Sequence, residues 1–143
     1  MATNNLQFVF EPLDATERTV SAVVPVIDGQ PLTDLVTAFE TQRSYDPAGG
    51  YGGLVFEFFD FGPVDRYFGK TAEIFVLGCN CGEVGCWPLK CNVTVSHDLI
   101  AWENFSQPFR PGRDYSQFGP FTFDPAQYSD AVTALAARIA SQG

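Results

Sequence analysis

The chain has 143 residues, 45% of them hydrophobic and 15% aromatic, which is enough for one core in a single domain spanning 1–143 and too little for two. Its 17 acidic and 8 basic residues leave a formal charge of −9, a field that repels phosphate backbones and anionic lipid heads, so neither nucleic acid nor a membrane surface is an expected partner. The N-terminal Met-Ala-Thr-Asn-Asn lacks the pattern of a signal peptide, and no apolar run approaches the ~20 residues that span a bilayer; a cytoplasmic protein is expected.

Residues 6–11 read as a first strand and the Val-rich residues 19–27 as a second, paired as a hairpin across 12–18. After the turn dipeptide Asp28-Gly29, Leu32, Leu35, Val36 and Phe39 recur at the spacing of a short amphipathic helix, with Pro31 near its first turn. From 45 to 70 the chain is crowded with Gly, Pro and aromatics without sustained periodicity. It reads as a long ordered loop with room for a short helix or strand, either capping the core with its rings or serving as a lid or partner surface.

Residues 72–77 form an apolar, β-branched run typical of a buried strand. Beyond a cysteine-rich turn, Leu89, Cys91, Val93 and Val95 alternate with polar residues, the clearest period of two in the chain. Residues 99–105 supply the next strand, and a tight His97-Asp98 turn sets Val95 opposite Ile100, Val93 opposite Trp102 and Cys91 opposite Asn104. A polar loop over 107–120 carries Gln107, Arg110, Arg113 and Asp114, and residues 121–123 form a last short strand. Asp124, Pro125 and Gln127 then make a helix start, with an apolar stripe of Tyr128, Val132, Leu135 and Ile139 running to about residue 140. The expected architecture is α+β: an antiparallel sheet of about six strands, one helix after strand 2, and a C-terminal helix packed on the sheet.

The turn reads L-G-C-N-C-G-E-V-G-C-W-P-L-K-C, with the chain's four cysteines at 79, 81, 86 and 91, separated by one, four and four residues. In the cytoplasm such cysteines are reduced thiols or metal ligands more often than a disulfide framework. Three readings compete. Cys79, Cys81 and Cys86 have the makings of a zinc site, although paired short knuckles are the commoner arrangement and Cys91 faces the apolar side of its strand. Cys79 and Cys81, ~6.6 Å apart along an extended strand, suit a strained, reducible bridge, but no cation stands beside them and Glu83 opposes thiolate formation. The third reading is structural: Gly78, Gly82 and Gly85 bend the backbone, small thiols pack beneath it and Trp87 covers it. This demands the least chemistry, and no cofactor is expected beyond the zinc alternative.

The C-x-C-G-x-x-x-C spacing resembles the zinc-binding post-SET segment of protein lysine methyltransferases, a likeness of eight residues that implies a ligand geometry and no activity. The L-G-C-x-C-G-x-x-G-C-W-P-L, W-x-x-F-x-Q-P-x-R and G-P-F-x-F-D-x-x-Q-Y runs together resemble a family of small uncharacterised bacterial proteins. That resemblance implies no catalytic residue or cofactor.

Ser96, His97 and Asp98 are not a catalytic triad, because neighbours in a tight turn cannot aim at one another with an orienting acid behind them. Arg110 and Arg113 either grip a carboxylate or phosphate or pair with the chain's own acids, of which Glu57, Asp60 and Asp65 in the aromatic loop are candidates. The reading adopted is a non-catalytic binding or interaction domain for a protein or small molecule, with Cys79, Cys81, Glu83, Cys86, Trp87, Arg110 and Arg113 as its surface. A homo-oligomer is compatible with so aromatic a chain. The alternative is a thiol-redox or zinc-dependent enzyme using Cys79, Cys81 and Cys86.

Overall fold

The computed structural model describes residues 3–15, 18–45, 48–54, 66–68, 73–79, 88–108, 110 and 112–142. Strands β1 (Leu6–Ala15) and β2 (Arg18–Ile27) pair antiparallel on every rung from Leu6↔Ile27 to Ala15↔Arg18. The first connection is therefore shorter than expected, and Pro12 lies inside the ladder opposite Ser21. β1 is an edge strand of its sheet, where a residue without an N–H is tolerated. Asp28 and Gly29, at φ 54° and 81°, make a two-residue turn into β3 (Gln30–Pro31), the positive-φ pair that matches strand twist. Helix α1 (Leu32–Gln42) follows at once, with Pro31 in extended conformation as its N-cap.

A two-residue strand, β4 (Tyr51–Gly52), lies in the segment expected to be a loop, and Arg66 and Tyr67 form a helical turn there. Tyr51 and Tyr67 are buried, so these two rings serve packing. β4 pairs with β5 (Glu73–Cys79), which pairs in turn with β6 (Leu89–Val95). β6 and β7 (Ile100–Ser106) form the expected hairpin, with Val95↔Ile100 and Val93↔Trp102 in register. The register then shifts between Lys90 and Asn92, so the expected Cys91–Asn104 pair does not form. Asn104 takes φ 57°, exposed, and its extra residue brings Phe105 back to the buried side that strict alternation would deny it. β8 (Phe121–Phe123) completes a five-stranded sheet.

The six longer strands are those expected, while β3 and β4 are additional and the strands divide into sheets of three and five. Two bridges join these sheets. Val23 and Leu54 exchange backbone hydrogen bonds of 2.7 and 2.9 Å, and Asn4 donates its N–H to Thr122 O at 2.6 Å beside the parallel bridge to Phe123. Strand neighbours thus follow one another in a closed circuit through both sheets. Gly53 is required at the first seam, because a Cβ there would stand 2.6 Å from the Val23 carbonyl oxygen.

Helix α2 (Pro125–Gln142) begins as expected, with Asp124 Oδ2 accepting the Gln127 N–H at 3.1 Å. The Gln127 side chain does not close a capping box. It accepts from Leu6 N at 2.9 Å and donates to Leu6 O at 2.6 Å, holding β1 as a further strand would. Tyr128, Val132 and Leu135 are buried in a core drawn from both sheets and both helices. At its centre Trp102 stacks on Tyr67 at 5.9 Å, meets Phe123 edge-on and donates its indole N–H to the Tyr128 hydroxyl at 2.9 Å, the partner a buried indole needs. No helix among the described residues is long and apolar enough to cross a membrane.

Candidate functional site

The most concentrated polar chemistry in the described residues gathers on Glu40. Leu32, Val36 and Glu40 fall one turn apart and all three are buried, so α1 carries a carboxylate on its core-facing stripe. The surroundings supply its hydrogen bonds. Oε1 accepts the Gly49 N–H at 2.8 Å; Oε2 accepts the hydroxyls of Tyr51 and Tyr115 at 2.6 and 2.5 Å and Nη1 of Arg113 at 3.3 Å. Gly49 reaches it at φ 80°, where a Cβ would press on Thr37 Oγ1 at 3.0 Å.

Burial, and then the Glu40 carboxylate, push the phenols of Tyr51 and Tyr115 above their ordinary value, so both remain protonated donors. Four donors occupy the carboxylate's two oxygens, so the arrangement is an anchor of hydrogen bonds.

Around this anchor the surface is aromatic and cationic. Arg113 lies over the Tyr45 ring at 5.1 Å, and the Tyr45 hydroxyl accepts the Asp114 N–H at 2.8 Å. Phe39 stacks on Tyr115 at 5.7 Å and carries Arg43 over its own ring at 4.9 Å. Asp114 is held below the usual carboxylate range chiefly by the Ser116 backbone N–H, with Arg43 adding a smaller pull. The arginine loop is a chain of tight turns, with Arg110 N bonded to Gln107 O at 2.9 Å and Arg113 N to Arg110 O at 3.0 Å.

Arg113 therefore pairs with one of the chain's own acids, Glu40, while Arg110 is exposed. Glu57, Asp60 and Asp65 lie outside the described residues. Cys79 ends β5 with its backbone opposite Tyr51. Cys81, Glu83, Cys86 and Trp87 lie outside the described residues, and so do the geometries proposed for them. Cys91 is a core thiol, free and fully buried, and burial pushes its pKa up. His97 is exposed, and Ser96 Oγ turns to Leu99 O at 2.8 Å and to Asp98 at 3.2 Å, an arrangement of the turn and not of catalysis. Among the described residues no group of three or more His, Cys, Asp and Glu side chains is placed to hold a metal ion.

Sequence reasoning passed over Glu40, and it placed Tyr51 in the aromatic segment and Tyr115 in the polar loop without a role of their own. A signal for Glu40 was present: extending the stripe of Leu32 and Val36 by one more turn lands on it. No comparable signal marks the two tyrosines, which reach Glu40 across 11 and 75 residues of sequence. No protein-family model, curated protein or solved structure matches the chain.

Proposed function

We propose that the chain is a non-catalytic binding domain whose surface lies where the cysteine turn, the start of the aromatic segment and the arginine loop meet. One observation carries this reading. Cys79 pairs with Tyr51, and the Tyr51 hydroxyl shares Glu40 with Arg113 and Tyr115, so the first cysteine, the start of the aromatic segment and the middle of the arginine loop are tied to one anchor. The carboxylate's four donors support a rigid platform. Stacked guanidinium and phenol groups at Arg43, Tyr45 and Arg113 present pre-organised contacts of the kind found at recognition surfaces. The partner is a protein or a small molecule, encountered in the cytoplasm. The resemblance to small bacterial proteins over residues 77–89, 102–110 and 119–128 adds no activity to this reading.

The test is a partner captured with the wild-type chain and challenged with Trp87→Ala and Arg110→Ala variants of unchanged melting temperature. Loss of binding in both supports the surface, and full retention in both removes it. A thiol titration beside metal analysis addresses the competing enzyme: fast-reacting thiols at Cys79, Cys81 or Cys86, or stoichiometric zinc, would move the assignment there.

A further inference from the structure

We infer that the arginine loop and the β4–β5 pairing are mechanically coupled, with Glu40 as the joint between them. The path is continuous and short. Arg113 Nη1 meets Glu40 Oε2 at 3.3 Å, the same oxygen takes the Tyr51 hydroxyl at 2.6 Å, and Tyr51 is the β4 residue paired with Cys79, the last residue of β5. β4 has two residues, and so short a pairing is marginal by itself. Glu40 grips it on both sides, through Gly49 N at 2.8 Å ahead of the strand and through Tyr51 within it.

Glu40 and Tyr51 are buried, while the Arg113 side chain is 9% exposed and lies at the surface end of the path. A ligand that draws Arg113 outward weakens the hold on β4 and loosens the end of β5. By linkage, anything that tightens the β4–β5 pairing favours the Glu40-paired position of Arg113 to the same degree. The coupling belongs to the fold and stands or falls separately from the binding surface proposed above.

Hydrogen–deuterium exchange on the full chain tests it, read on peptides covering 48–54, 73–79 and 107–118. Tyr51→Phe removes one hydroxyl, and Arg113→Ala removes the far end of the path. Each is expected to speed exchange at 51–52 and 78–79 roughly five- to tenfold, the effect of losing one buried hydrogen bond. In the double variant the acceleration is expected to match the larger single effect, because both replacements cut the same chain. Should Arg113→Ala not fold, Arg113→Gln, which keeps the stem and loses the charge, takes its place. Coupling is overturned if the two effects multiply, or if replacing Arg113 speeds exchange in 107–118 and leaves 51–52 and 78–79 unchanged.

Discussion

The two seams that close the strand circuit are built from similar parts in opposite surroundings. At the Val23–Leu54 seam, Gly53 lies against the Val23 backbone and the adjoining β4 is held by Glu40, a carboxylate with no exposed surface and four donors. At the Asn4–Phe123 seam the carboxylate is Asp28, exposed, accepting from Asn5 N at 2.7 Å and Asn4 Nδ2 at 2.6 Å. Glu40 has four donors and Asp28 two, over distances of 2.5–3.3 Å and 2.6–2.7 Å. What also differs is what happens when a bond is lost: water replaces it at Asp28, and nothing of equal quality replaces it at Glu40. The lesson is that desolvation adds to bond count in setting the worth of a polar tie.

The largest effect is expected from Glu40→Ala, which leaves a largely buried guanidinium and two phenols without their acceptor. The cost is about 4 kcal/mol, enough to lower Tm by roughly 10 °C. Thermal unfolding followed by circular dichroism checks it, and a Tm within a degree or two of wild type would show that the anchor is ornamental. Gly53→Ala comes next. Its Cβ would meet Val23 backbone atoms at 2.6 and 2.8 Å, so a strand must move, at about 2–3 kcal/mol. Urea unfolding measures this directly, and an unchanged midpoint would mean the seam is slack.

The seams also separate by pH. The phenols of Tyr51 and Tyr115 are raised above 10.0, with burial the leading cause. Their stability contribution is complete below the ordinary phenol value and is lost as pH climbs, because the unfolded chain ionises first. Tyr67 and Tyr128, raised mainly by burial in the same way, add to this alkaline loss. The discriminating measurement is the slope of stability against pH above 10.0, which Tyr51→Phe is expected to flatten; an unaltered slope would place the alkaline sensitivity elsewhere.

Asp28 gives the smallest effect and the opposite sign. Its pKa is lowered, first by the Asn5 backbone N–H and then by Asn4, so its contribution is present above the ordinary carboxylate value of 3.8 and disappears as pH falls through the lowered one. Asp28→Asn, which tolerates the φ of 54° at this position, is expected to cost less than about 1 kcal/mol at neutral pH and to blunt acid unfolding slightly. A loss as large as that of Glu40→Ala would overturn the contrast between the two seams.

How far the sequence could be read follows the same division. The Asp124 cap, the stripe of Tyr128, Val132 and Leu135, and the pairing of Val93 with Trp102 were all legible, since each depends on residues within one element or across one tight turn. The Asn104 bulge was not, although Phe105 falling out of alternation hinted that an extra residue was needed. The candidate site was legible in one part. That Arg113 would meet an acid of the same chain was among the expected outcomes, yet the acid is Glu40, 73 residues away in a helix, and neither Tyr51 nor Tyr115 stood out among so many aromatics.

By itself the amino-acid order determined where the helices and the six longer strands lie, because capping, periodicity and turn chemistry act over a few residues. Two sheets joined into one circuit, and a glutamate buried with its donors, were decided only by the tertiary structure. Both require groups distant in sequence to leave water together, and that shared desolvation has no local signature.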